Sequence, residues 1–448
     1  MNILIRPLTI EDAAISYKWR NDPEVWKFTG SRPSREITAE IERDWLKNSL
    51  GDKSKTRFAI LVDGEYVGNV QLTDIILNKT AEFHIFIGDK SFWGKGVAKE
   101  ATYQILQYAK EGLNLQSVFL DVNKENLPAI KSYKKNGFVI ANETKDSIKM
   151  VCDIQNLKPP MVSVFCMVYN QEQYISQAIE GFLMQKATFN SVMVIGEDCS
   201  TDGSRNIILE YAKKYPGKFK LLLNDKNIGA HKNQEKVLKN CTGKYIAMCE
   251  GDDYWTDPLK LQKQVGFMEA NPSIGACFTN AAVNNHINHT TYEYNSTYQL
   301  VEGVLDKRKL FNIGGGIYPT CTLVYRTHLV AIPEHIVEMA GDELLLFTLA
   351  NNAEIAYLNF ITATYNRWCN GAFSGISNNK KKLLMYRRKE LKGYEKLLPL
   401  LINSNQILLK FRMKKVASHI IKKDKFSILN FNYLKLLGLK SFIKTLMG

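Results

Sequence analysis

KYIAMCEGDDYW, residues Lys244 to Trp255, runs from an apolar β-rich segment into three acids within four positions, Glu250, Asp252 and Asp253. An apolar run without alternation reads as a strand covered on both faces, as in sheets flanked by helices. Like charges that close repel one another and resist leaving water, so the turn behind the strand calls for a positive partner. Ligands of open α/β sheets bind outside the carboxyl ends of the strands, and these acids stand at such an end.

Neighbouring segments repeat the pattern. VSVFCMVYN (162–170) and SVMVIGEDCS (191–200) are apolar and finish in polar residues, with the helical QYISQAIEGFLMQ (173–185) between them, and KFKLLLND (218–225) follows. Strands alternating with helices predict a parallel sheet. Val168-Tyr169-Asn170 and Glu197-Asp198 then share the end of the sheet that carries the acids.

Upstream, FAILVDGEYVGNVQLTD (58–74) reads as a hairpin turning at Asp63-Gly64, and AEFHIFIG (81–88) as another strand. SFWGKGVAKEATYQILQYAKEG (91–112) changes to helical periodicity, with Ala98, Ala101, Ile105 and Tyr108 on one face. SVFLDV (117–122) is a strand, and NLPAIKSYKKNG (126–137) a helix with Pro128 near its start and Gly137 just past its end. The Pro pair of NLKPPM (156–161) marks a linker, and beyond about Ser377 the chain is helical, basic and amphipathic. Three regions result: 1–157, 158–377 and 378–448.

A length of 448 residues suits two or three domains. No apolar run approaches the roughly 18 residues of a membrane span, and MNILIRPLT lacks a signal-peptide core, so a cytoplasmic protein is expected. The eight cysteines, all at or beyond Cys152 and without a CxxC pair, read as reduced thiols. Of 59 Lys and Arg, 18 lie from Gly375 onward against 3 of the 45 acids, so the net charge of +14 belongs to the tail.

Trp93-Gly94-Lys95-Gly96-Val97-Ala98 opens a helix behind a strand. Glycines admit close backbone approach, and a helix N-terminus offers unpaired N–H groups to a pyrophosphate. The same residues also suit a plain turn. Downstream, NKENLPAIKSYKKNGF (123–138) carries the spacing N-x-x-A-x-x-x-Y-x-x-x-G-F at Asn126, Ala129, Tyr133, Gly137 and Phe138. In these motifs residues 2 to 155 resemble the GNAT family of acetyl-CoA-dependent N-acetyltransferases. The resemblance implies an α/β domain that binds acetyl-CoA at residues 93–98 and Asn126, with Tyr133 as general acid, its phenol near the thiol's own pKa range. Glu82 or His84, on the strand facing the cofactor, are then the candidates for base. KWRNDPEVWKF (18–28) is similar to the acceptor-side opening of the subgroup that includes ribosomal-protein and nucleotide-amino-sugar acetyltransferases. Trp93 stands where the family usually has Gln or Arg.

Residues 162 to 377 resemble family 2 glycosyltransferases of the GT-A (Rossmann-like) fold, with the opening strand and helix, the acidic turn VIGEDCSTDGS (194–204), the loop NDKNIGAHKN (224–233) and the DxD-like YIAMCEGDDYWTDPLKLQKQ (245–264) in order. The resemblance implies that Glu250, Asp252 and Asp253 hold Mg²⁺ or Mn²⁺ on the diphosphate of a nucleotide sugar, the positive partner asked for above. It further implies Asp198, with Tyr169 and Asn170 beside it, as acceptor of hydrogen bonds from the base. Asp252 approaches the ribose as well as the metal. Asp342 in MAGDELLLFTLA (339–350) is the base for the acceptor hydroxyl, with Glu343 as its neighbour, although Asp342 equally suits a helix N-cap. Arg367 in TYNRWCNGAFS (364–374) takes the place of the usual Arg of a Tyr-Arg-x-His signature whose His this chain lacks.

The combined expectation is a bifunctional enzyme of surface-glycan assembly with a glycan, lipid-linked or protein acceptor. Two alternatives remain: a GNAT domain that only binds or scaffolds, suggested by Trp93, and a nucleic-acid-binding protein, suggested by the basic tail. No groove-reading motif accompanies that tail, so nucleic acid is not expected as partner. Gln406 to Lys425 interleaves Ile407, Leu408, Leu409, Phe411, Val416, Ile420 and Ile421 with lysines and Arg412. It fits either contact with an anionic membrane at the inner face or a helical cap on the catalytic domain.

Overall fold

The computed structural model describes residues 1–28, 35–330, 341–368 and 379–423. Two compact units emerge. The first comprises Met1–Val162 with Leu183–Val194 and Arg205–Leu221, and the second Ser163–Phe182, Ile195–Ser204 and the described part of Leu222–Gly448. The boundary expected at 157 lies near the end of the first stretch, but the first unit also takes in two later segments. Asn2 Nδ2 donates to the Leu183 carbonyl at 2.7 Å, and Lys218 pairs with Glu100 at 3.3 Å. The boundary placed at 377 lies outside the described residues.

The first unit is built on β1 (Ile3–Pro7), β2 (Thr56–Val62), β3 (Glu65–Ile76), β4 (Thr80–Ile87), β5 (Ser117–Asn123), β6 (Val139–Glu143) and β7 (Ser147–Asp153), hydrogen-bonded in the order β1-β2-β3-β4-β5-β7-β6. Helices α1 (Ala13–Arg20), α2 (Ala39–Leu50), α3 (Val97–Glu111) and α4 (Leu127–Lys135) complete it. The β2–β3 hairpin turns where expected, with Asp63 and Gly64 at φ 50° and 91°, the left-handed pair that a two-residue turn requires. The buried side of α3 is wider than the predicted stripe and includes Tyr103, Gln104 and Leu106.

Every pairing in this sheet is antiparallel except β4 with β5. Those two run parallel and pair only at Thr80↔Ser117, Ala81↔Val118 and Glu82↔Phe119. Beyond Glu82 they part, so the facing backbone edges of residues 83–87 and 120–123 have no ladder with each other.

The second sheet contains β8 (Val162–Val168), β9 (Ser191–Glu197), β10 (Phe219–Leu223), β11 (Tyr245–Met248), β12 (Tyr254–Trp255), β13 (Ile274–Asn285), β14 (Thr290–Glu293), β15 (Gly303–Val304), β16 (Val324–Arg326) and β17 (Glu354–Arg367). Its order is β10-β9-β8-β11-β16-β13-β17-β12, with β14 on β13 and β15 on β17. The helices are α5 (Ile175–Leu183), α6 (Ser204–Lys214), α7 (Ala230–Asn240), α8 (Lys260–Ala270), α9 (Lys307–Ile313) and α10 (Gly341–Asn352). The parallel sheet is expected of the segments that form β8, β9, β10 and β11, and the sheet extends beyond them. β11 and β13 pair antiparallel with β16, and β12 antiparallel with β17, while β13 and β17 run parallel, so the sheet is mixed.

The tail forms α11 (Lys380–Leu397) and α12 (Asn403–Lys423), which bury Leu391, Tyr394, Leu397, Leu409, Met413, Val416 and Ile420. The stripe expected to face lipid is therefore divided, for Leu409, Val416 and Ile420 are covered while Ile407 and Phe411 are exposed. The side chains of Ile421 and the following lysines lie outside the described residues. No helix among the described residues is long and apolar enough to cross a membrane.

Candidate active sites

In the first unit the glycine loop sits between the end of β4 and α3. Gly94 and Gly96 have φ of 72° and 84°, conformations that cost an L side chain roughly 1–2 kcal/mol. A Cβ at either would meet nothing, so the space above the loop is open. Gly96 is the N-cap of α3 and supplies no side-chain hydrogen bond, which leaves the first amides of the helix, from Val97 and Ala98 onward, directed outward. The Lys95 ammonium lies 5.7 Å from the Phe92 ring centroid. Trp93 is exposed, and its indole N–H donates to the Ile87 carbonyl at 2.9 Å, so the side chain is tethered to the strand it follows.

Asn126 caps α4 through its Oδ1, which accepts from the Ala129 amide at 3.3 Å. On the same helix the Tyr133 ring packs edge-on against Phe83, 5.8 Å between centroids, and against Phe138. Burial pushes its phenol up to about 12. This corrects the expectation of a phenol near the thiol's range: Tyr133 is held as a neutral hydroxyl donor. Glu82 and His84 alternate with Phe83 and so occupy the other face of β4. His84 Nε2 is 3.0 Å from Thr73 Oγ1 and 3.6 Å from Glu82 Oε2, which makes the two base candidates one cluster.

In the second unit the ends of β8, β9 and β11 carry the motifs as expected. Tyr169 is exposed, and Asn170, at φ 52°, uses its Oδ1 to accept from the Thr201 amide at 2.8 Å. Asp198 is 2% exposed, and its carboxylate accepts from Asn224 Nδ2 at 2.9 Å and from the Ile228 and Gly229 amides at 2.8 and 3.0 Å. It therefore shapes the 224–229 loop.

Glu250, Asp252 and Asp253 each place a carboxylate oxygen within 4.8 Å of the others. The β11 edge is held to β8, with the Gly251 amide donating to the Met167 carbonyl at 3.3 Å. Gly251 also admits Gln171: a Cβ there would lie 2.3 Å from Gln171 Oε1, a buried oxygen with no hydrogen-bond partner among the described residues. Burial raises the carboxyl pKa of all three acids. At Glu250 the charges of Asp342, Asp252 and Asp253 add to it. Among the described residues no Lys or Arg pairs with the cluster. Three carboxylates form a hard, all-oxygen donor set, the chemistry of Mg²⁺ or Mn²⁺.

Asp342 is the second residue of α10 and is exposed. Desolvation of the carboxyl by the surrounding protein, and then the Glu343 charge, push it up to about 6. Glu343 is occupied elsewhere: it pairs with Arg412 at 2.6 Å and accepts from Tyr394 Oη at 2.5 Å. Of the two neighbours, only Asp342 is free to act. Arg367, at the end of β17, is exposed, whereas residues 369–374 of its motif lie outside the described residues.

Sequence reasoning missed Gln171, Asn366 and His286. Asn366 donates its amide to Asp253 Oδ1 at 2.8 Å and its Nδ2 to the Asp252 carbonyl at 2.7 Å. The polar ends of the strands were a signal for such residues, but not for which of them would meet.

Comparison with known proteins places residues 2–139 under the model "Acetyltransferase (GNAT) domain" and residues 163–331 under "Glycosyl transferase family 2". The spermidine N(1)-acetyltransferase of Escherichia coli is 34% identical over 143 residues, 32% of this chain and 75% of that protein. The uncharacterized protein Rv1520 of Mycobacterium tuberculosis is 34% identical over 226 residues, 49% of this chain, and the match spans 63% of that relative's length. A crystal structure of S. aureus TarS in complex with UDP-GlcNAc is 18% identical, covers 64% of this chain and 81% of that one, and has a TM-score of 0.46.

Proposed function

We propose, for a chain that belongs to the GNAT acetyltransferases and carries a family 2 glycosyl transferase domain behind that region, a bifunctional enzyme of surface-glycan assembly. One site moves an acetyl group from acetyl-CoA to an amine, in our reading on an amino sugar. The other transfers a sugar, with inversion, from a nucleotide sugar to a glycan, lipid-linked or protein acceptor.

The observation that carries the sugar-transfer reading is the convergence of Glu250, Asp252 and Asp253 with no cationic partner among the described residues. Bound there, Mg²⁺ or Mn²⁺ would neutralise the departing diphosphate. The chain's own residues do the rest. Asp342, at about 6, is poised to take the acceptor's hydroxyl proton near neutral pH. Tyr169, exposed beside Asp198, offers a ring face to the nucleoside base, and the Asp198-held loop limits where the base can lie. Arg367 is the candidate contact for donor phosphate.

For acetyl transfer, the unpaired edges of β4 and β5 offer backbone partners to the amide-bearing arm of acetyl-CoA, and the amides opening α3 suit its pyrophosphate, with Lys95 in the same loop and Asn126 capping the next helix as further candidates. A thioester between the parted strands is met from one face by Glu82 and His84 and from the other by Tyr133, so the amine loses its proton on one side while the thiolate is hydrogen-bonded on the other. Trp93, where the family usually has Gln or Arg, is the feature behind the second reading, in which this region binds without turning over.

Exposed Ile407 and Phe411, beside Lys410 and Lys414, make peripheral contact with an anionic membrane at its inner face part of the proposal. The deciding experiment incubates the full-length protein with a nucleotide-sugar panel and Mn²⁺, and with acetyl-CoA and amines. Asp253→Ala should abolish sugar transfer and leave acetyl transfer near wild type. Sugar transfer by that variant at the wild-type rate would remove the metal site from the mechanism, and acetyl-CoA turnover at background with every amine would favour the scaffold.

A further inference from the structure

The parallel register of β13 and β17 sets Asn285 opposite Arg367 and brings the next residue, His286, beside the acidic cluster; its amide donates to the Arg367 carbonyl at 3.0 Å. His286 Nε2 lies 3.0 Å from Asn366 Oδ1, and its ring is stacked on Trp368, 3.5 Å between centroids at 10°. Trp368 in turn lies 4.5 Å from the Tyr174 ring.

Because Asn366 spends its Nδ2 on the Asp252 carbonyl, its Oδ1 must accept; it takes a long bond from Asn284 Nδ2 at 3.4 Å and the shorter one from His286 Nε2, which must therefore carry a hydrogen. The imidazole thus fixes the amide's orientation, and the amide fixes the turn that presents Asp252 and Asp253. We propose that His286 is a positioning residue for the carboxylate cluster, acting through Asn366 to hold that turn ready for a divalent cation. The stack on Trp368 keeps the ring where its N–H points at Asn366. The inference rests on the cation reading above.

The test is Mn²⁺ titration of the full-length protein, followed by the loss of the free-ion EPR signal with no substrate present. His286→Phe keeps a ring for the stack and removes the donor, while His286→Gln restores an N–H donor of similar reach. Removing groups that orient metal ligands typically weakens binding by about 10–100-fold. His286 acts at one remove, so about 10-fold is expected for His286→Phe, with His286→Gln within roughly 3-fold of wild type. Asp253→Ala separates the two claims. If it loses Mn²⁺ while His286→Phe binds as wild type, the His286 inference falls and the cation reading stands. Equal weakening by Phe and Gln would overturn the hydrogen-bond route. Unchanged Mn²⁺ binding by Asp253→Ala would overturn the cation reading and this inference with it.

Discussion

Replacing Lys260 with Met tests how this protein tolerates a buried ammonium. Lys260, the first residue of α8, is fully buried; its Nζ donates to Gln264 Oε1 at 2.7 Å and sits 4.5 Å from the Trp255 ring centroid. Burial pulls it down from 10.5 to about 8. Each pKa unit is worth about 1.36 kcal/mol, so keeping this lysine charged inside the fold costs roughly 3 kcal/mol below pH 8. Between about pH 8 and 10.5 the unfolded chain holds a proton that the folded chain has released, so the site's contribution to stability rises with pH across that window. Met titrates nowhere. It removes the cost, but it leaves Gln264 Oε1 without that donor at about 1–3 kcal/mol and forfeits a cation–π contact of about 1–2 kcal/mol. Near pH 7 the two effects nearly cancel. What remains is the pH dependence: relative to wild type, Lys260→Met should lose roughly 2–3 kcal/mol between pH 7 and pH 10. Guanidinium unfolding followed by tryptophan fluorescence at several pH values reads it. Profiles parallel to within about 1 kcal/mol would refute the depressed lysine.

Tyr133→Phe should slow acetyl transfer by about 10²-fold in a thiol-release assay while leaving acetyl-CoA binding close to wild type. Glu343→Ala strands Arg412, whose side chain is only 14% exposed, and should cost about 3 kcal/mol, the low end for an orphaned buried charge because Arg412 keeps the Asn312 carbonyl at 3.2 Å. Thermal unfolding measures it, and Arg412→Met should cost a comparable amount, because it strands the Glu343 carboxylate, 7% exposed, with Tyr394 Oη as its remaining donor.

Local chemistry made much of this legible. The Asp63-Gly64 turn, the glycine loop on α3 and the acids closing β11 each follow from residues within a few positions of one another. Asp198 accepts from the amides of residues 228 and 229, and nothing in an acidic turn says which loop will fold over it. His286 was invisible because its neighbours, Asn366 and Trp368, are some 80 positions away, joined by a strand register that no short-range pattern encodes. The separation of Asp342 from Glu343 likewise depends on Arg412 and Tyr394, which arrive from the tail. That tail's apolar spacing specified a buried face without specifying what would bury it.

The discontinuity of the first unit bears on how the chain is made. Residues 1–162 emerge from the ribosome well before Leu183–Val194 and Arg205–Leu221, which belong to the same compact body. At about 5–20 residues per second, the 59 residues from 162 to 221 take roughly 3–12 s to synthesise. Within that interval Asn2 awaits Leu183, and Glu100 awaits Lys218 until nearly its end. The nascent amino-terminal part is thus an unfinished body that a chaperone or protease can meet, and its completion is timed by translation of the second family's sequence.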